Sequence, residues 1–159
     1  MNRGIINEIN LNSIEHAYKK DKYKHWFFSI YHNKKKNKIV FVFADNGIGI
    51  VKRLNRKIPK QVFESLKLKT DGDILYNAFL KKYGSRFEQP NRNRGPPTIR
   101  SYQDNNYIKN LMVITNGVCL NLQTKKQIKL PLNHSGTFYY WEFDKKCVDL
   151  YNNDKRKNI

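Results

Sequence analysis

Residues Phe41 to Ile50 read FVFADNGIGI: an apolar run, Ile39–Ala44, ends in Asp45 and gives way at once to Asn46-Gly47-Ile48-Gly49. Aspartate is a poor strand former, so a carboxylate at the end of a strand calls for a reason. One reason is chemical. A carboxylate held at a sheet edge can accept a charge-assisted hydrogen bond from an exocyclic amine such as that of adenine. Glycines spaced i, i+2 beside it let the backbone turn and let a flat ligand approach closely. The other reason is plainer: Asp-Asn-Gly is good turn chemistry. Taken alone, the stretch supports both readings equally.

A second pair lies near the N-terminus. Residues 5–20 read as a helix, with Ile6, Ile9, Ser13 and Ala17 near one face and Glu8, Asn12 and Glu15 on an adjoining one. Glu8 and Asn12 are one turn apart. The Asn12 side-chain oxygen suits Mg²⁺, which keeps several waters and bridges phosphates rather than demanding a protein cage. Glu8 could orient or deprotonate a water, or take a proton from an incoming hydroxyl. The same pair also fits a solvated helix face.

The elements that must position these residues follow from pattern. A hairpin is expected from a strand at Trp26–Tyr31, a basic turn at 33–37 and a strand at Lys38–Ala44. Residues 51–72 read as polar and irregular, with a short helix over Gln61–Leu68. A helix over Asp73–Tyr83 takes Asp73 as its N-cap and stops at Gly84. Residues 84–97 form a loop long enough to suspect function, and Thr98–Lys109 a helix capped by Thr98. Strands at Leu111–Thr115 and Val118–Leu122 flank an Asn116-Gly117 hairpin turn, followed by strands at Ile128–Leu132 and Thr137–Phe143. This order predicts an α+β two-layer sandwich, a mixed and mostly antiparallel sheet with helices on one face. The expected domain spans residues 1–143, and 144–159 is left as a basic tail.

Composition sets bounds. The 159 residues carry 31 Lys+Arg against 13 Asp+Glu, a net charge of +18, which admits nucleic acid as a partner class. The basic residues are scattered, and the densest run, Lys34-Lys35-Lys36 with Lys38, falls at a hairpin tip. Cys119 and Cys147 lie outside any metal-ligand spacing, as do the four histidines. No apolar run approaches the roughly 20 residues of a membrane helix and no signal-peptide layout is present, so a soluble cytoplasmic protein without a membrane partner is expected.

Asn7-Glu8-Ile9-Asn10-Leu11-Asn12-Ser13-Ile14-Glu15-His16-Ala17 resembles the first ATP-site box of the GHKL superfamily, which includes gyrase B, MutL, sensor histidine kinases and anti-sigma-factor serine kinases. Asp45-Asn46-Gly47-Ile48-Gly49 is similar to its second box, Asp-x-Gly-x-Gly. Asn93-Arg94-Gly95 resembles the glycine-rich lid, and Gly136-Thr137 the Gly-Thr of the fourth box. The match runs from Asn7 to Phe143. Ser85 and Arg86, the lid Arg-Gly and the closing Gly-Thr-Phe-Tyr-Tyr-Trp-Glu-Phe look especially like bacterial ATP-binding, histidine-kinase-like proteins.

The resemblance implies the Bergerat ATP-binding fold, ATP and Mg²⁺ as cofactors, and a role for each matched residue. Asp45 would take the adenine amine with Thr137 in support, and Gly47 and Gly49 would shape the pocket. Asn12 would hold Mg²⁺ and Glu8 would serve as the catalytic residue. Arg94 and Gly95 would meet the phosphates, with Arg86 a further candidate; Arg86 and Arg92 equally fit a solvated basic loop. Three functions stand side by side: a slow ATPase or nucleotide-dependent conformational switch, a serine protein kinase of the anti-sigma-factor type, and a degenerate basic protein associated with nucleic acid.

Two departures bear on the choice. The lid continues Arg94-Gly95-Pro96-Pro97 where the family has Arg-Gly-x-Gly-Leu, which removes two backbone donors from a helix entrance suited to anions. The first box also begins almost at Met1, so a larger assembly, or a protein partner completing the domain, is expected.

Overall fold

The computed structural model describes residues 4–9, 25–80 and 95–157. Its scaffold is one four-stranded sheet. Strand β1 (Trp26–Asn33) turns through a 3-10 segment at Lys34–Lys36 into β2 (Lys38–Asp45). Beyond the helices come β3 (Lys109–Asn121) and β4 (Gln127–Phe143), and the spatial order is β1-β2-β4-β3 with every described pair antiparallel.

Six α-helices accompany the sheet among the described residues: α1 (4–9), α2 (Ile50–Lys57), α3 (Lys60–Ser65), α4 (Asp71–Phe79), α5 (Gly95–Asp104) and α6 (Lys145–Lys157). Strand side chains alternate between faces. Phe41 and Phe43 of β2 and Tyr139 and Trp141 of β4 therefore share a face, and they meet Ile5 and Ile9 of α1, Val51 of α2, Leu75 and Phe79 of α4 and Ile99 of α5 in one core. Phe41 stacks on Trp141 with ring centroids 5.3 Å apart. The architecture is thus α+β in two layers, as the order of elements predicts. None of the described helices is long and apolar enough to cross a membrane.

Several local expectations are corrected. The stretch after Gly49, read as irregular, contains α2. Its inward row, Ile50, Leu54 and Ile58, has helical spacing but is interrupted by five basic or polar residues on the outer face. Helix α4 is capped by Thr70 rather than Asp73. The Thr70 hydroxyl accepts the Asp73 amide at 3.1 Å and Asp73 answers at the Thr70 amide, a reciprocal capping box. Helix α5 starts at Gly95, so Pro96 and Pro97 lie in its first turn, where proline is tolerated, and Lys109 opens β3 instead of closing the helix.

Asn116-Gly117 is no hairpin turn. β3 runs through it as an irregularity, with Asn116 left-handed at φ 53°, and pairs with β4 on both sides. The predicted strands Ile128–Leu132 and Thr137–Phe143 are likewise one element, β4, kinked at Gly136.

The basic tail is helix α6. Asp144 caps it through the Cys147 amide at 3.2 Å, and Cys147 is fully buried. Tyr151 packs edge-on to Tyr107, 5.1 Å between centroids, and the Tyr107 hydroxyl donates to Asp154 at 2.9 Å. Positions 147, 151 and 154 recur at helical spacing, a signal hidden among lysines.

Candidate functional site

Asp45 is the last residue of β2 and shares the core-facing parity of Phe41 and Phe43. Its Oδ1 accepts the Gly47 amide at 2.8 Å, which fixes the carboxylate against the turn that follows. Burial pushes the hydroxyl pKa of Tyr139 upward; the nearby Asp45 charge pushes it further and Arg53 opposes the rise. Tyr139 thus stays neutral.

The turn after Asp45 is held from β3. The Thr115 hydroxyl accepts the Ile50 amide at 2.9 Å and donates to the Gly136 carbonyl at 3.0 Å. The Asn116 side-chain oxygen accepts the Lys52 amide at 3.1 Å, while its nitrogen donates to the Ile48 carbonyl at 3.0 Å. Helix α2 has no side-chain cap of its own at Gly49. Two of its orphan amides are satisfied instead by side chains from the β3 irregularity, which is where a left-handed Asn places them.

This accounts for Gly49. Its φ is +82°, and a Cβ there would sit 2.5 Å from the Asn116 Oδ1 and 2.7 Å from the Thr115 Oγ1. The close approach is to the protein's own β3, so the glycine serves folding whatever the site binds.

Gly136 closes the arrangement from β4. At φ +98°, its added Cβ would lie 1.9 Å from the Asp45 carbonyl oxygen. Thr137 follows, 5% exposed, with its hydroxyl 3.5 Å from that of Thr115. Asp45, Gly47, Gly49 and Thr137 are therefore brought together, at one end of the sheet and on its helix-bearing side.

The remaining expected residues are distributed differently. Glu8, half-exposed, rides on α1, whose Ile5 and Ile9 enter the core beside Phe43 and Val51. It lies near Tyr102 of α5: burial raises the pKa of that phenol, and the charges of Tyr151 and Glu8 add to the rise. Gly95 is buried at the start of α5. Asn12, Arg86, Arg92 and Arg94 lie outside the described residues. Among the described residues no cluster of three His, Cys, Asp or Glu could hold a metal; Mg²⁺ bound through phosphates asks for as little as one protein oxygen. A separate cleft of about 280 Å³, lined by Arg100, Gln103, Lys109 and Lys125 among others, includes none of the residues singled out from sequence.

No family model matches the chain, and no curated protein matches it.

Sequence reasoning missed Thr115, Asn116 and Arg53. The first two were absorbed into a turn, because Asn-Gly between apolar runs carries the same signal whether it ends a strand or bends one.

Proposed function

We propose that this chain is an ATP-binding module of the GHKL type, acting as a slow ATPase or a nucleotide-dependent switch within a larger assembly. The observation that carries the reading is the convergence at one sheet end of Asp45, the Gly47–Gly49 turn and Gly136-Thr137. Asp45 and Gly136 lie some ninety residues apart in sequence, and their meeting supports the reading. Asp45 accepts the adenine amine, its orientation preset by the Gly47 amide. Thr137, beside the Thr115 hydroxyl, supports the same edge of the base directly or through water. Tyr139 supplies an apolar wall.

Glu8 would orient or deprotonate the attacking water from α1, and Asn12 would hold Mg²⁺ through its side-chain oxygen, the ion neutralising phosphate charge when bound. The first turn of α5 carries Pro96 and Pro97, so two amides that would otherwise face phosphate are absent. Grip on the γ-phosphate is accordingly weak and turnover slow, while recognition of adenine is untouched.

Calorimetry and thermal shift with Mg-ATP, ADP and a non-hydrolysable analogue test this. ATP at a hundred times its Kd is expected to stabilise the protein by about 2.7 kcal/mol, and Asp45→Asn is expected to remove the effect. Glu8→Ala is expected to spare binding and stop hydrolysis. An unshifted melting curve at millimolar ATP would defeat the proposal.

A further inference from the structure

The sheet face turned away from the described helices carries a row of aromatic side chains. Register places Phe27 opposite Ala44, which in turn faces Phe138; Ser29 aligns through Val42 with Tyr140, and Tyr31 through Val40 with Glu142. All of these project from the side opposite Phe41, Phe43 and Trp141, and no described helix covers them. Phe27 and Tyr31 are each 61% exposed, and Phe138 and Tyr140 are half-buried.

Spacing along and across the strands sets the geometry of this face. Phe27 and Tyr31 stand four residues apart on one strand, about 13 Å, and Phe138 lies two strands from Phe27, about 9.5 Å. Soluble proteins seldom leave such a contiguous apolar and aromatic surface without a partner.

Charge decides the class of partner. The chain carries +18, and Lys34, Lys35 and Lys36 are exposed at the hairpin tip immediately beyond Tyr31. The acid that register puts on this face, Glu142, is buried and bound by Lys38, Asn110 and Tyr140. The surface therefore presents aromatic rings beside a cationic end, with its carboxylate neutralised. An apolar protein partner accounts for the rings but not the charge, and duplex nucleic acid for the charge but not the rings, since stacked bases are unavailable to them. Unpaired bases on a charged backbone match both features.

We propose that the open sheet face binds single-stranded nucleic acid. Bases stack on Phe27 and Tyr31, and phosphates are met by Lys34–Lys36. This site lies on the sheet face opposite Asp45 and does not depend on ATP binding there.

The test is fluorescence anisotropy of the full chain with labelled oligo(dT) and oligo(U), each about 16 nucleotides long, and with a duplex of the same length, across a salt series. Single strands are expected to bind at least about tenfold more tightly than the duplex. The double variant Phe27→Ala/Tyr31→Ala is expected to lose at least about tenfold in single-strand affinity, with little change in the salt slope. The triple change of Lys34, Lys35 and Lys36 to Gln is expected to reduce the slope. Should the aromatic variant not fold, ultraviolet cross-linking of the unmodified protein replaces it, with cross-links expected on β1. Equal affinity for duplex and single strand, cross-links elsewhere, or a chain that instead dimerises through this face would overturn the proposal.

Discussion

Gly136→Ala probes whether the junction of β2 and β4 is as tight as its geometry requires. At φ +98° an L-residue pays strain of about 1–3 kcal/mol. The new methyl would also stand 1.9 Å from the Asp45 carbonyl oxygen, 2.8 Å from its carbon and 3.2 Å from the Asn46 Cα. These are backbone atoms in a paired strand end, so no side chain can swing aside, and overpacking of this kind costs a further 1–3 kcal/mol or so. The total, about 2–6 kcal/mol, lowers Tm by roughly 4–24 °C in a chain of this size.

Gly117→Ala is the matched control. It lies on the neighbouring strand, outside the left-handed region, and its added Cβ meets nothing within 4 Å; a change within about 0.5 kcal/mol is expected. Circular dichroism melts of both variants measure the difference. Because the clash is with Asp45 itself, any folded Gly136→Ala protein is also expected to bind ATP more weakly. A Gly136→Ala variant melting within about 2 °C of the parent, under 1 kcal/mol or so, would refute the claim that this contact fixes the site.

Two further outcomes follow from the same contacts. Thr115→Val removes a fully buried hydroxyl that serves the Ile50 amide and the Gly136 carbonyl. At about 1–3 kcal/mol for each of the two stranded groups, denaturant unfolding is expected to show a loss of about 2–6 kcal/mol, while Thr115→Ser retains most of the stability. In acid, the 2.6 Å bond from Lys109 is the main cause holding the Asp144 carboxyl down at about 2, against 3.8 for the free group. A depressed acid stabilises above its unfolded value and loses that contribution as pH falls through its folded one. Tm is therefore expected to fall between about pH 4 and 2, and Lys109→Met is expected to flatten that limb; an unchanged acid limb would remove the pair from the account.

Some of this protein is legible locally. The β1–β2 hairpin announces itself by alternation and a polar turn, and α4 by its periodicity and nearby cap. Asp45 stands out because a carboxylate ending an apolar run is anomalous in any fold. The residues that hold the candidate site together are of another kind. Thr115 and Asn116 satisfy amides that lie 65 and 64 positions away, on Ile50 and Lys52, and nothing within their own neighbourhood marks them. α6 was concealed differently: its anchors, Cys147, Tyr151 and Asp154, recur at helical spacing but are outnumbered by lysines and polar residues, and their packing on Tyr107 shows only in the fold.

The sequence by itself determined the two-layer class, the hairpin and the acid at the end of β2, since these follow from propensity and period over a few residues. Only the tertiary structure decided that Asn116-Gly117 bends a strand rather than ending it, that Gly49 and Gly136 are demanded by neighbouring protein atoms, and that no described helix covers the aromatic face of β1. Each of those depends on which distant strand lies alongside, and hydrogen bonds and steric contacts between remote segments leave no periodic trace in the chain.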